Sequence, residues 1–432
     1  MWYIEEQEKV YLDYSATTPL DLEVVKAINI GLKYWANPSS SNPLGDTLGG
    51  KEKEGGEEEE GKKAKEAVEK ARVELADLFH VTPREVFFTS GGTETNYWVI
   101  HSAIEHYKAQ HGREAKPHLI SSGIEHPSLL EPLHDLQNKN VIDLTEINID
   151  AKTGCVKLDE LQAAINERTC LITVMLCNNE TGVVQPLSEV ATIARSQAES
   201  RYDIRILVHT DGAQAVGKMD IDLNELKVDF LTVVGHKFYG PRIGALILRS
   251  ATTVPLISLF FGGGQEMNKR AGTENTPMIM GLGAAARVIA NDLDSYIKSM
   301  EDIRNYFERR LKEVFKDGIV INFEKSNRAP HLSSVGFIKY EGTAVELLSK
   351  CSSFIASTGA ACHSSGKKCS SVLINCGLSE QLASRTVRFS FGRQTKQSDV
   401  DRVISELSSI VFLSKYGSSL LKTFSKGPVP GF

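Results

Sequence analysis

The 432-residue chain lacks several things that would settle its class at once. It has no apolar run of the roughly 18–20 residues needed to cross a bilayer, so no membrane span is expected. Its seven cysteines (155, 170, 177, 351, 362, 369 and 376) include no Cys-x-x-Cys pair. An odd count in a long chain argues against a disulfide framework, and the spacings match no zinc pattern, so reduced thiols and no metal are expected. The N-terminus is acidic, without the basic-then-apolar layout of a signal peptide or the Arg/Ser-rich character of a transit peptide. We therefore expect a cytosolic protein. Runs of basic residues are missing too, so a nucleic-acid partner is not expected. No repeat of solenoid period is present.

The net charge of −6 is concentrated in one place. Residues 45–60 hold seven acids and two lysines, which leaves only −1 for the rest. That stretch has no aromatic residue and too little apolar area to offset its ordering entropy, which predicts a solvated, mobile loop. A plain insertion and a partner-binding acidic loop remain open as readings.

A single core stops growing at roughly 250–300 residues, so two domains are expected. The large one is placed at 16–280 and the small one at 1–15 with 281–432. In the first two-thirds, short apolar runs (86–89, 118–121, 171–176, 206–209, 230–234 and 245–248) alternate with helical stretches at 93–106 and 187–198. Several of these runs are apolar throughout, as in strands buried on both faces. The pattern predicts an α/β fold with a mostly parallel sheet, in which ligands sit beyond the carboxyl ends of the strands. After about residue 280 a long helix (279–316) leads into a smaller α+β region with strands near 319–323, 332–338 and 387–391.

The motifs at the strand ends carry the chemistry. Lys237 follows the run 230–234 and precedes a Gly-rich turn. A lysine there can lose hydration and become nucleophilic enough to form a Schiff base; by itself it reads more readily as an exposed loop lysine. Asp211, after the run 206–209, could keep a pyridine nitrogen protonated, or it is an ordinary turn aspartate. In Thr89–Asn96 a small Gly-rich turn opens a helix and makes an anion site, although Thr93 could serve merely as its N-cap. His126 follows another strand and could stack on a ring and shuttle protons; a structural histidine is the alternative. Asn179 lies in a polar turn after an apolar strand. Cys362 lies in a small-residue, Gly- and Ser-rich stretch beside His363, Lys367 and Lys368, where nearby positive charge favours thiolate. Arg388, in an alternating strand, offers a planar fork for a carboxylate or makes a structural ion pair.

Together these segments, from Val10-Tyr-Leu-Asp-Tyr-Ser-Ala-Thr-Thr-Pro19 through Asn37-Pro-Ser-Ser40 to Arg393, resemble the fold-type I, class V pyridoxal-phosphate (PLP) enzymes of the cysteine desulfurase and selenocysteine lyase family. The resemblance covers nearly the whole chain except the acidic insert and the C-terminal tail. It implies PLP as cofactor, carried by Lys237, with Asp211 at the ring nitrogen. It places Asn179 and Gln214 at the ring hydroxyl, His126 on the ring face, and Gly92, Thr93 and His236 at the phosphate. Arg270-Ala-Gly-Thr273 is similar to the segment that reaches a partner's phosphate, which implies a homodimer with shared sites. Arg388, with Asn179, matches the group that binds the substrate carboxylate, and Cys362 matches the mobile catalytic cysteine. His126 joins Lys237 and Cys362 as a catalytic residue.

Within the family, several details are similar to the lyase branch. They are the short loop Gly240-Pro-Arg-Ile-Gly244, Val234 where desulfurases carry a serine, Gly262-Gly-Gly-Gln-Glu266, Gly272-Thr-Glu-Asn-Thr-Pro277 and Gly359-Ala-Ala-Cys-His363. Met267, Lys269 and the insert depart from that pattern. The implied reaction cleaves L-selenocysteine to L-alanine and reduced selenium. The alternative is a desulfurase that makes L-alanine and a cysteine persulfide for iron–sulfur or thio-cofactor assembly. An acceptor protein for the chalcogen would be a partner in either case.

Overall fold

In a computed structural model the structure describes residues 9–39, 57–198, 205–359 and 369–424. The strands in chain order are β1 (Val10–Tyr11), β2 (Val86–Thr89), β3 (His118–Ser122), β4 (Asp143–Ile147), β5 (Thr169–Thr173), β6 (Leu207–Asp211), β7 (Phe230–Val234), β8 (Gly244–Leu248), β9 (Val320–Ile321), β10 (Leu332–Gly336), β11 (Phe354–Ile355) and β12 (Thr386–Ser390).

Seven strands form one sheet in the order β2-β8-β7-β6-β5-β3-β4. Pairing is parallel except at β8, which runs against both of its neighbours. The expected mostly parallel α/β fold is thus observed. Alternation along each strand divides the core between the two faces. Val86, Phe88, Val208, Leu231, Val233 and Ile247 join one apolar cluster, and Phe87, Leu207, Phe230, Leu246 and Leu248 join the other. Both faces are covered, which is why these strands read as continuous apolar runs. β4 sits at the sheet edge and is mostly half-buried. Its sequence, Asp143-Leu-Thr-Glu-Ile147, carries no such run, and the sequence reading did not name it.

The helices α1 (Leu22–Gly31), α2 (Glu57–Leu78), α3 (Gly92–His111) and α4 (Pro127–Asn138) surround the sheet. The expected loop at 45–60 needs a correction at its end: Glu57 to Glu60 are the first turn of α2. Glutamates are good helix formers and are favoured near a helix N-terminus, where the dipole is positive. Residues 45–56 lie outside the described residues.

A second, antiparallel sheet has the order β12-β10-β9 and its own apolar cluster around Phe307, Leu311, Phe389 and Phe391. The chain start joins this part: β1 pairs with β11, and Asp13 bridges Ser390. The helix Thr276–Phe315 serves both parts and bends at Asp292, whose backbone leaves helical geometry. Its residues as far as Ile289 pack into the large-sheet cluster, and those from Ile303 pack into the second. The boundary expected at 280 therefore falls inside a helix. Among the described residues no helix is long and apolar enough to cross a membrane.

Candidate functional site

Because β8 alone runs backwards, the carboxyl ends of β2, β3, β5, β6 and β7 share one edge of the large sheet. Each sends its following residues to that edge: Gly91–Gly92 after β2, Glu125–His126 after β3, Asn178–Asn179 beyond β5, Asp211 at the end of β6, and His236–Lys237 after β7. This is where ligands bind in such sheets.

Lys237 is half-buried, and its Nζ donates to the carbonyls of Ser15 and Ala16, each at 2.8 Å. Burial, then the Arg388 charge, pulls its pKa down to about 8, against the opposing pull of Asp211 and Asp13. Near neutral pH this amine gives up its proton far more readily than an ordinary lysine. Asp211 is buried: its Oδ2 accepts from Asn96 Nδ2 at 2.9 Å, and its Oδ1 accepts from the Ala213 amide at 2.9 Å. Gln214, one turn on, donates through Nε2 to the Ser15 carbonyl at 3.0 Å, while its Oε1 is buried with no partner among the described residues.

His126 caps α4, its Nδ1 accepting from the Ser128 amide. It is exposed at the surface, yet the surrounding protein lowers its pKa; Asp211 opposes this and Lys237 adds to it. His236 is held by Thr17, and burial followed by the Lys237 charge lowers its pKa to about 4. A cleft of about 540 Å³ opens beside it, lined by Tyr14, Thr17, Pro241, Arg242 and Met278, but it is not lined by Lys237, Asp211 or His126.

α3 starts at Gly92, with Gly91 and not Thr93 as its N-cap; Thr93 is exposed on the first turn. A Cβ at Gly92 would lie 2.7 Å from Val234 Cγ2, so only glycine lets the helix start this close to β7. Arg388 is buried and donates to the Asn179 carbonyl at 2.9 Å and to Asp13 Oδ1 at 2.7 Å, while its Nε has no partner among the described residues. Of five guanidinium N–H donors, this leaves a fork available to a carboxylate. Asn179 is half-buried beside it. Thr273 is exposed, and Arg270 of the same segment is tied to Glu94 at 2.8 Å. Cys362 lies outside the described residues.

Asp13, Ser15, Asn96 and Glu125 hold this site together, and the sequence reading gave none of them a role. Asp13 and Ser15 sit within the Val10–Pro19 motif, and Asn96 ends the Gly-rich turn motif, so position alone could have flagged them. Glu125 gives less warning. It is fully buried, and its Oε1 accepts from Ser122 Oγ at 2.5 Å and from the Met175 amide at 2.8 Å. Burial pushes its pKa from 4.5 up to about 8. The folded state therefore holds this proton between about pH 4.5 and 8 while the unfolded chain loses it. Stability from this group falls as pH rises through that window. Glu125→Gln keeps the acceptor oxygen without the charge. The unfolding free energy of the variant minus that of the wild type should be near zero at pH 4.5 and grow up to about pH 8. Urea titrations across that range measure it, and a constant difference would refute the buried-proton account.

The residues fit pyridoxal phosphate. The Gln214 Oε1, without a partner among the described residues, needs a donor, and a ring hydroxyl is one. The opening turn of α3 suits the phosphate, Asp211 the ring nitrogen, and the depressed amine of Lys237 an aldehyde.

Comparisons with known proteins agree. The family model described as aminotransferase class-V matches residues 10–403. Selenocysteine lyase of Bos taurus is 41% identical over 428 residues, covering 94% of each chain. Cysteine desulfurase IscS of Dictyoglomus turgidum is 36% identical, covering 94% of this chain and 95% of its own. A solved NifS-like protein superposes with a TM-score of 0.79 at 28% identity, covering 94% of this chain and 100% of its own.

Proposed function

The chain belongs to the class V aminotransferase family, as a PLP-dependent enzyme, and from that premise we propose that it cleaves L-selenocysteine to L-alanine and reduced selenium. The observation that carries this reading is the gathering of Lys237, Asp211 and Gln214 at one edge of the large sheet, with Arg388 of the second sheet bonded to the Asn179 carbonyl there, in a chain 41% identical to selenocysteine lyases.

In this reading Lys237 holds the cofactor covalently, Asp211 its ring nitrogen, Asn179 and Gln214 its hydroxyl, and His126 its face. Gly92, Thr93 and His236 hold the phosphate together with Thr273 of a second copy. Bound there, the group supplies an electron sink for the charge left at the substrate α-carbon. Arg388, steadied by Asp13 and the Asn179 carbonyl, takes the substrate carboxylate and turns the α-proton toward Lys237. Lys237 Nζ, made a weak base by burial, accepts that proton and can return it near neutral pH. His126, whose pKa is lowered by the surrounding protein, relays protons at the site. Cys362 takes the chalcogen or protonates it as it leaves. A selenolate leaves more easily than a thiolate, so this cysteine has less to do for the selenium substrate.

Desulfuration of L-cysteine is the second reading, favoured by the 36% identity to a cysteine desulfurase. Both substrates have nearly the same shape, which gives a pocket little leverage on size. Steady-state rates on the two amino acids decide: a higher kcat/KM for selenocysteine is expected, and equal or better turnover of cysteine would overturn the preference. A selenium- or sulfur-accepting protein would then take the product.

We also infer a homodimer. Trp35 (69% exposed), Leu32 and Phe261 (90%) leave apolar surface uncovered, and Phe261 adjoins the Arg270–Thr273 segment assigned to a second copy's phosphate. Light scattering should give about twice 47.5 kDa, and a monomer mass in the active enzyme would refute shared sites. Cys155, Cys170, Cys177, Cys351 and Cys376 are thiols, which supports a reducing compartment such as the cytosol.

A further inference from the structure

Behind the floor of the site lies a lysine to which the mechanism above gives no task. Lys218 is buried at 3% exposure, and its Nζ has no hydrogen-bond partner among the described residues. Buried lysines are normally paired with a carboxylate. Here the charged neighbours are cations, Lys237 and Arg388, beside the thiol of Cys177 and the rings of His331 and His236. His331, also fully buried, faces Lys218, Arg388 and Arg304, which with burial keep its ring neutral. It therefore adds neither charge nor counter-charge.

The carboxylates near Lys237 are already engaged: Asp13 with Arg388, and Asp211 with Asn96 and the Ala213 amide. His236 sees Lys237, Arg242 and Lys218, and its ring is neutral; His126 sees Asp211 and Lys237, and its pKa is lowered.

The backbone fixes this placement. Gly217 adopts φ +73°, and a Cβ there would lie 2.9 Å from Phe238 Cβ and 2.7 Å from Ile289 Cδ1. Any other residue at 217 would push the Lys218 turn away from the segment that carries Lys237. On the other side, His331 Nε2 lies 3.4 Å from Ser15 Oγ, and the Ser15 carbonyl accepts from Lys237.

We propose that Lys218 and Lys237 are a coupled pair of amines holding one positive charge between them, with Lys218 a positioning residue that takes the charge whenever the Lys237 nitrogen must be neutral. This rests on Lys237 being the cofactor lysine. The two amines are close in basicity, about 7 for Lys218 and about 8 for Lys237, both chiefly through burial. Two charges in one low-dielectric space repel strongly, so a proton on one opposes a proton on the other. When Lys237 Nζ is neutral the repulsion is gone and Lys218 Nζ binds a proton from solvent more readily; when Lys237 Nζ is charged, Lys218 Nζ gives its proton back to solvent.

The test is a pH titration of the visible cofactor band in the holoenzyme, with kcat and KM measured alongside. Lys218→Met and Lys218→Gln remove the competing charge and should raise the midpoint by about one pH unit. Lys218→Arg keeps the charge permanently and should leave the midpoint at or below the wild-type value. Midpoints unmoved in both neutral variants, or moved alike in all three variants, would overturn the proposal. So would loss of folding in both neutral variants while the arginine variant remains sound, because the amine would then be structural. A wild-type band that survives Lys237→Ala would mean instead that the cofactor assignment itself had failed.

Discussion

Lys237→Ala is expected to lower turnover by more than about 10³-fold and to remove the visible band that a cofactor gains when bound to a lysine. The size follows from the number of tasks on one atom. In the proposed mechanism Nζ is both the covalent anchor and the base, and the Ser15 and Ala16 carbonyls hold it in place. Alanine leaves those carbonyls without their donor, so part of the effect could be structural. Lys237→Arg separates the two: it keeps a cation for the carbonyls yet cannot form the imine or act as a base, since a guanidinium stays protonated. Both variants should be equally inactive. Activity within tenfold of wild type in either would remove Lys237 from the chemistry.

Asp211→Asn is the second large effect, a fall of about 10²–10³-fold in kcat with a smaller change in KM, as expected when a preorganised charge is lost. Both carboxylate oxygens of Asp211 are acceptors, from Asn96 and from the Ala213 amide. An amide at this position turns a donor toward one of those donors, and it supplies no negative charge to hold a ring nitrogen protonated. Asn96→Ala serves as the control, because it loosens the carboxylate without neutralising it and should cost less. If Asp211→Asn were as active as Asn96→Ala, the charge would not be what matters at this position.

The buried strands were legible because a sheet covered on both faces demands unbroken apolar runs, and Val86–Thr89 and Phe230–Val234 begin and end where the sequence suggested. The run 171–176 was read too far, since β5 ends at Thr173 and the chain then turns into the site. Strand β4 was invisible for the opposite reason: at the edge it buries little. Lys237, Asp211, His126 and Arg388 could be singled out from their positions at strand ends or in a buried strand, and Gln214 from the family resemblance. Lys218 and Glu125 could not, because a charged residue in sequence looks solvated, and only the packed neighbours show that it is sealed away from water.

Lys237 and Gln214 both donate to the main-chain oxygen of residue 15. A side-chain substitution at that position cannot remove the acceptor, so a mutational scan would score residue 15 by its hydroxyl alone. What the enzyme depends on there is the route of the chain from Val10 to Ala16, held by β1 against β11 and by Asp13 against Ser390. An alteration that reroutes this leading segment would disarm a lysine more than two hundred positions further along.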